Sequence, residues 1–386
     1  MSRLDRDLKL LATANLLFAL GVGMYLQLLP VYALDLGASR FTIGLLNAIM
    51  LACIAAGNIP GAWASHRFPL RAVIIAVWWL TVPTAVCFAL APSWPWLIPG
   101  MVLSGLYMAN NPAFKTYIAL KSEPARTARN MTLVIGTYPA GLVVAPLFGG
   151  AIADAYGMRT VFWVSAAFYV VSSVTATVIR DVPYHVEQES FTATAVSHNR
   201  SFHRYVAFFL VGYLAVYVGQ PFLMPYLSVA HGQGYAALGV FAALAALGAA
   251  LLTPLSGRVA DLHGPRAGTT LVLVIICTGT LLLITGASPL AWGAAMFFCG
   301  GYDTFRFLAA GIVARSFGEI PLAWGFALFD TSMGVPMAGG ALLGGVLFGL
   351  GSSLPFVFVV VVSAVLLVAL GALRGHRDRS ARKAGT

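Results

Sequence analysis

Twelve apolar runs, each about twenty residues long, follow one another along this chain, and their recurrence constrains the fold more than any other feature. A bilayer core about 30 Å thick takes roughly 20 apolar residues to cross as a helix. The runs fall near 10–34, 41–64, 71–91, 95–119, 131–153, 161–180, 205–228, 235–256, 268–287, 290–314, 321–347 and 353–373. Barrel strands would alternate over shorter segments, so the expected fold class is an all-α membrane protein. Composition agrees: 59% of the 386 residues are hydrophobic and 9% are charged, against about 25% charged in a soluble domain. Lipid is the expected solvent for most of the surface.

The longest polar stretch, about 181–204, separates six runs from six. The expected organisation is therefore an N-terminal six-helix bundle over 1–180, a linker over 181–204, a second six-helix bundle over 205–373 and a basic tail over 374–386.

A net charge of +10 invites a nucleic-acid reading, but the placement of the basic residues argues against it. With the N-terminus in the cytoplasm, nineteen of the 23 Lys and Arg residues face that side. They are Arg3, Arg6, Lys9, Arg67, Arg71, Lys121, Arg126, Arg129, Arg180, Arg200, Arg204, Arg258, Arg266, Arg315, Arg374, Arg377, Arg379, Arg382 and Lys383. Only Arg40 and Arg159 fall outside, and Lys115 and Arg306 lie within spans. Cytoplasmic loops carry such an excess of Lys and Arg, so both termini are expected in the cytoplasm and no nucleic-acid partner is expected. Trp94, Trp96 and Trp292 open spans where aromatic rings anchor at headgroups. The scarcity of Lys against Arg points to a GC-rich bacterial genome, hence to an inner membrane. The first run is too long for the core of a secretory signal and lacks a cleavage site.

The four cysteines, Cys53, Cys87, Cys277 and Cys299, lie inside apolar runs without CxxC spacing. They read as small hydrophobes rather than as a disulfide or metal framework. No HExxH, GxSxG or GxxxxGK[ST] pattern occurs. Neither an enzyme nor an ATP-driven pump is expected, and no cofactor or metal.

Three loops repeat one pattern. After the eighth run stands Gly257-Arg-Val-Ala-Asp261-Leu-His-Gly264-Pro-Arg266, and after the fifth Gly150-Ala-Ile-Ala-Asp154-Ala-Tyr-Gly157-Met-Arg159. After the second, a degraded copy reads Gly61-Ala-Trp-Ala-Ser65-His66-Arg67-Phe-Pro-Leu-Arg71. The fifth run itself holds Gly141-Leu-Val-Val-Ala145-Pro146-Leu-Phe-Gly149-Gly150. Twelve helices in two halves, with these loops, resemble the major facilitator superfamily and its G-x-x-x-D-x-x-G-x-R loop. The fifth run is similar to the G-x-x-x-G-P-x-x-G-G signature of that superfamily's drug and solute exporters, the proton-antiporter branch. Ser65 replaces the family's usual Asp, Ala145 replaces one Gly, and the usual basic residue in the middle of the fourth span has no match. The physical expectation for the loops is that Gly permits a tight turn, Asp caps a helix N-terminus, and Arg ties the loop to a carboxylate or helix end. Gly61, Ser65, Arg67, Arg71, Gly257, Asp261, Gly264, Arg266, Pro146, Gly149 and Gly150 are thus candidate gating or packing residues.

Ionisable groups at membrane depth cost at least about 2.5 kcal/mol each and persist where they face a cavity or a partner. Asp303 and Arg306 in the tenth run share a helix face and can pair, either as a self-neutralising structural pair or as one that proton or solute binding breaks. Asp330 has no basic neighbour within a turn. Burial disfavours the charged form of such a carboxylate, a property suited to taking up a proton on one side and releasing it on the other. Lys115 follows Asn111 by one turn, placed to snorkel to the interface or to line an inner vestibule. Tyr213, Tyr217 and Gln220 form a stripe on the seventh run, with Gln27 in the first and Asn110 and Asn111 in the fourth. The resemblance implies that spans 1, 4, 7 and 10 line a central cavity, so these residues would surround it.

Together these features imply a monomeric secondary transporter that moves a small organic solute by alternating access, with proton-coupled export favoured. Open alternatives are an uncoupled facilitator and an importer of organic anions using Lys115 and Arg306.

Overall fold

A computed structural model describes residues 4–108, 111–123, 126–182, 200–314 and 322–384. Most of the expected linker, together with Asn110 and Arg315, lies outside the described residues. The described residues form helices and their connections, with no strand. The helices of the first six runs are α1 (Arg6–Gly23), α2 (Leu29–Asp35), α3 (Arg40–Arg67), α4 (Leu70–Trp79), α5 (Thr81–Leu90), α6 (Ile98–Tyr107), α7 (Asn111–Leu120), α8 (Thr127–Ile135), α9 (Thr137–Tyr156) and α10 (Met158–Thr177). Those of the last six are α11 (Arg200–Gly219), α12 (Leu223–His231), α13 (Tyr235–His263), α14 (Pro265–Thr285), α15 (Pro289–Cys299), α16 (Gly301–Ala314), α17 (Leu322–Leu350) and α18 (Leu354–Ala384). The last helix continues through most of the stretch expected as a tail.

Paired short helices share one run. Span 1 is α1 and α2, interrupted at residues 24–28. Span 4 is α6 and α7, span 10 is α15 and α16 divided at Gly300, and span 7 joins α11 to α12 through a 3-10 turn at Gln220–Phe222. Single-residue breaks also occur at Leu80 in span 3 and Gly136 in span 5. The apolar runs thus fold as broken helices, a difference from expectation: Pro30, Pro112 and Pro221 stand where spans 1, 4 and 7 restart, and in span 10 a neighbouring helix crosses closely. At Gly300, a Cβ would sit 2.5 Å from the Ala245 carbonyl, so α13 crosses there at backbone distance. Irregular backbone at membrane depth survives only where protein or a water-filled cavity satisfies it.

Local chemistry sets the helix ends. Ser39 accepts from the Thr42 amide at 3.1 Å to start α3. Ser288 accepts from Ala291 at 3.3 Å ahead of Pro289, the first residue of α15. Gly157 (φ 82°) and Gly264 (φ 91°) make the hinges α9–α10 and α13–α14 in the left-handed half of backbone space, where an L side chain is strained. They are the second glycines of two of the repeated loops.

Polar side chains stitch the spans. Ser172 accepts from the Trp78 indole at 2.8 Å and donates to the Ala14 carbonyl at 2.6 Å. Ser165 donates to the Gly21 carbonyl at 2.9 Å. Asn15 donates to the Val134 carbonyl at 3.2 Å and the Thr137 hydroxyl at 3.0 Å, either side of the break at Gly136. Such interhelical bonds contribute about 0.6 kcal/mol each in lipid. The outer surface is the reverse of a soluble protein's: Leu290 is 85% exposed, Val335 78% and Val368 72%. That surface suits acyl chains, and the chain is a multi-pass membrane protein.

The first six spans meet the last six where α3 packs on α17 and α9 on α13. Gly44 lies against Gly345: a Cβ on Gly44 would stand 2.9 Å from the Gly345 Cα, and Gly150 lies equally close to Gly239. Tyr235 donates its hydroxyl to Asp35, and the Arg40 guanidinium lies 5.5 Å from the centre of the Phe348 ring. All these contacts sit at the far face, opposite the one where α1 begins.

Candidate functional site

Two of the broken spans, 7 and 10, bring five of the sequence-predicted residues together. Arg306 Nη1 lies 3.3 Å from Asp303 Oδ1, one turn apart on α16. Gln220, the first residue of the break in span 7, donates its amide to the same Oδ1 at 3.1 Å. Tyr213 donates to the Arg306 carbonyl at 3.3 Å, and the guanidinium sits 5.7 Å from the centre of the Tyr217 ring, a cation–π arrangement. The Tyr213 and Tyr217 rings stack at 6.5 Å. The predicted stripe of Tyr213, Tyr217 and Gln220 therefore faces the predicted ion pair. Yet the two side chains of that pair remain 39% and 34% exposed, so it is not sealed.

Asp330 is exposed on α17, and Lys115 and Arg306 are the two cations whose fields reach it. Its lack of a basic neighbour along its own helix is real, but α7 and α16 bring positive charge to it from outside that helix. Lys115 comes from the other set of six spans. Among the described residues neither Lys115 nor Asp330 is in an ion pair. Asn111, which opens α7, is likewise exposed and donates weakly to the Met108 sulfur at 3.8 Å. Gln27 is half-buried in the break of span 1, the counterpart of Gln220 in span 7.

Sequence reasoning passed over the aromatic wall opposite. Phe18 stacks with Tyr107 at 4.3 Å, Tyr169 at 5.5 Å and Tyr138 at 6.0 Å. Tyr138, on α9, feels the charges of Asp303 and Arg306 across the two halves. The available signal was one of spacing: Phe18, Tyr107 and Tyr138 sit at the middles of spans 1, 4 and 5. Also missed was Asp7, buried at the start of α1 and bound to Lys121 at 2.7 Å.

The loop motifs resolve unequally. Asp261 lies inside the last turn of α13, and the residue before α14 is Gly264. Gly257 is also helical, and Gly61 and Ser65 lie within α3, where the Ser65 hydroxyl donates back to the Gly61 carbonyl at 2.8 Å. Arg67 and Arg266 are exposed. Arg71 does tie a helix end, donating to the Ile179 carbonyl at 2.8 Å and that of Thr177 at 3.0 Å. Arg159 does the same at the far face, reaching the Ala91 carbonyl at 3.1 Å. In span 5, Pro146 sits inside α9, and its carbonyl faces Gly239. Gly149 lies against the Met24 carbonyl at the break of span 1. The small residues there serve close helix approach.

Comparison with known proteins agrees with this architecture. Among solved structures, a substituted form of the nucleoside transporter NupG superposes with a TM-score of 0.79 at 13% identity, over 95% of this chain and 99% of that one. The human organic anion transporter MFSD10 gives 0.65 at 14% identity, over 95% and 100%. A bacterial homologue of the human lysosomal transporter Spinster, in an inward-facing and unoccupied conformation, gives 0.67 at 18% identity, over 94% and 95%. An uncharacterised transporter of the same superfamily from Methanocaldococcus jannaschii is 20% identical over 204 residues, 52% of this chain and 53% of that protein. The chain thus matches about half the length of that curated relative. The family model of the Major Facilitator Superfamily matches residues 11–317, most of the sequence, and the chain belongs to that superfamily of membrane transporters.

Proposed function

We propose that the protein is a proton-coupled exporter of a small organic solute, working by alternating access in an inner membrane with both termini cytoplasmic. The observation that carries this reading is the open-sided cluster of Asp303, Arg306 and Gln220 at two helix breaks, with Asp330 exposed on α17 and feeling the charges of Lys115 and Arg306. A carboxylate that shares a cation with a second carboxylate gains or loses its proton according to which of them holds that cation. In this mechanism Arg306 pairs with Asp303 while Asp330 is protonated, and solute binding at Asp303 frees Arg306 toward Asp330, which then releases its proton. The closed far face and the exposed Asn111, Lys115 and Asp330 support loading from the side of the termini.

The test is flux in proteoliposomes under an imposed pH gradient, with a solute first identified by thermal stabilisation. The reading requires gradient-driven flux that Asp330→Asn and Asp303→Asn abolish. Unchanged gradient-driven flux in both variants sinks it, and flux indifferent to the gradient in the parent protein makes this an uncoupled facilitator.

A further inference from the structure

A cavity of about 220 Å³ at the face where α1 begins shares no residue with the solute site. We propose that it holds the headgroup of a single phospholipid, one that carries a phosphodiester and a primary ammonium, with the acyl chains lying along α8.

The cavity walls come from three stretches of the first six spans. Leu4 and Asp5 stand ahead of α1, Lys121 and Glu123 follow α7, and α8 supplies the third wall. On α8, Arg129, Asn130 and Leu133 line the cavity, and their three- and four-residue spacing puts them on one helix face. The apolar helical stretch of span 5 begins at Arg129, so the polar wall lies at headgroup level, where basic residues flank a span. One turn further in, Leu133 lines the same cavity and is 47% exposed, on an outer surface that suits acyl chains. A ligand here meets charge at one end and lipid at the other. That gradient fits an amphiphile, whereas a free phosphate ester would leave the Leu133 end empty.

Pairing within the walls selects the headgroup. Lys121 is held by the buried Asp7 at 2.7 Å, and Arg126, which also lines the cavity, by Glu123 at 3.1 Å. Two charged groups of the lining are left over, the Asp5 carboxylate and the Arg129 guanidinium. Both are exposed, and neither is in an ion pair among the described residues. Arg129 suits a phosphodiester, which a guanidinium grips with two parallel bonds. Asp5 suits an ammonium that has N–H groups to donate. Phosphatidylethanolamine carries both. Phosphatidylglycerol would meet Arg129 but bring no cation to Asp5, and the trimethylated ammonium of phosphatidylcholine has no N–H to give. Basic residues beside a span attract anionic lipid in general; the leftover carboxylate turns this cavity toward the zwitterion.

The experiment is lipid binding to the purified, delipidated full chain in detergent, read by native mass spectrometry and by melting temperature. The probes are phosphatidylethanolamine, phosphatidylglycerol and phosphatidylcholine with identical acyl chains, and phosphoethanolamine as the headgroup without a tail. Phosphatidylethanolamine should bind about fivefold or more tighter than either other lipid and raise the melting temperature. Phosphoethanolamine at the same concentration should do neither. Arg129→Ala should weaken phosphatidylethanolamine binding about tenfold. Asp5→Asn should bring phosphatidylethanolamine and phosphatidylglycerol within twofold of each other, a loss of selectivity that a general loosening of the fold does not produce. Arg67→Ala removes an exposed cation at the same face outside the cavity. It should leave every affinity within twofold of the parent, which separates this site from lipid spread around the spans. No binding, equal binding of the three lipids, or a preference for phosphatidylglycerol or phosphatidylcholine overturns the proposal. So does an unchanged affinity in Arg129→Ala or an unchanged selectivity in Asp5→Asn. Phosphoethanolamine binding as tightly as the lipid overturns it too, by making the ligand a soluble phosphate ester. None of these readouts depends on transport or on its coupling.

Discussion

Tyr235 donates its hydroxyl to the Asp35 carboxylate across 200 positions of chain, joining the start of α13 to the end of α2 at the far face. Beside it, Asp154 Oδ1 stands 3.3 Å from the position a Cβ would take on Gly234, the residue that precedes α13. Two carboxylates from the first six spans therefore converge on the N-terminal end of one helix of the last six, where the helix dipole favours negative charge. Opening the far face requires both contacts to part.

Removing the hydroxyl in Tyr235→Phe should loosen that closure. A partly exposed bond to a carboxylate is worth about 1 kcal/mol, roughly a fivefold change in the open-to-closed ratio. The distance between spin labels at Tyr156 and Leu290, both exposed at the far face, reads the shift. Equal distance distributions in the parent and in Tyr235→Phe would show that the bond does not restrain the face.

Gly149→Val should fail to reach the native packing. Its Cβ would strike the Met24 carbonyl, where the backbone of span 1 is already irregular. Overpacking at a backbone contact costs about 1–3 kcal/mol or more. A drop in melting temperature in detergent is expected, larger than for Gly339→Val, which has open space around it.

Lys121→Ala should destabilise the protein by about 3 kcal/mol, the low end for stranding a buried partner. Asp7 is almost fully buried, and its second oxygen, Oδ1, has no hydrogen bond. Asp7→Asn with Lys121→Gln should recover much of the loss, as a neutral pair does not leave an orphan charge. Melting temperatures of the single and double variants test this; an additive double variant contradicts it.

Much of the fold was legible because lipid imposes a one-dimensional code: a helix must be apolar for about twenty residues, and loop basicity records its direction. Tyr213, Tyr217, Gln220, Asp303 and Arg306 were legible for a related reason, since each pair is separated by three or four residues on one helix and periodicity alone places them together. What the sequence withheld is contact between helices. Lys115 and Asp330 lie 215 positions apart, and no pattern within either run announces their proximity. The aromatic wall was hidden because Phe and Tyr are ordinary within apolar runs. Breaks in spans 1 and 7 stand at Pro30 and Pro221, a signal that is hard to read because Pro146 and Pro254 sit inside continuous helices.

Loss of the Arg71 guanidinium should fray the end of span 6. Arg71→Ala removes two bonds to carbonyls at and just beyond the end of α10, at 3.0 Å to Thr177 and 2.8 Å to Ile179, where a cation also suits the helix dipole. A stability loss of about 1–3 kcal/mol is expected. Arg71→Lys, with one compact donor group, should recover only part of it. Hydrogen exchange at 175–180 measures the effect, and unchanged protection contradicts it.

Reciprocal motion at the two faces tests the central claim most directly. Spin labels at Tyr156 and Leu290 report the far face, and labels at Arg67 and Leu262 the face where α1 begins; Tyr156, Leu290 and Leu262 are exposed large side chains and Arg67 is exposed. Alternating access predicts that changing pH or adding solute lengthens the first distance while shortening the second. Distances that stay fixed, or that change in the same sense, would contradict it.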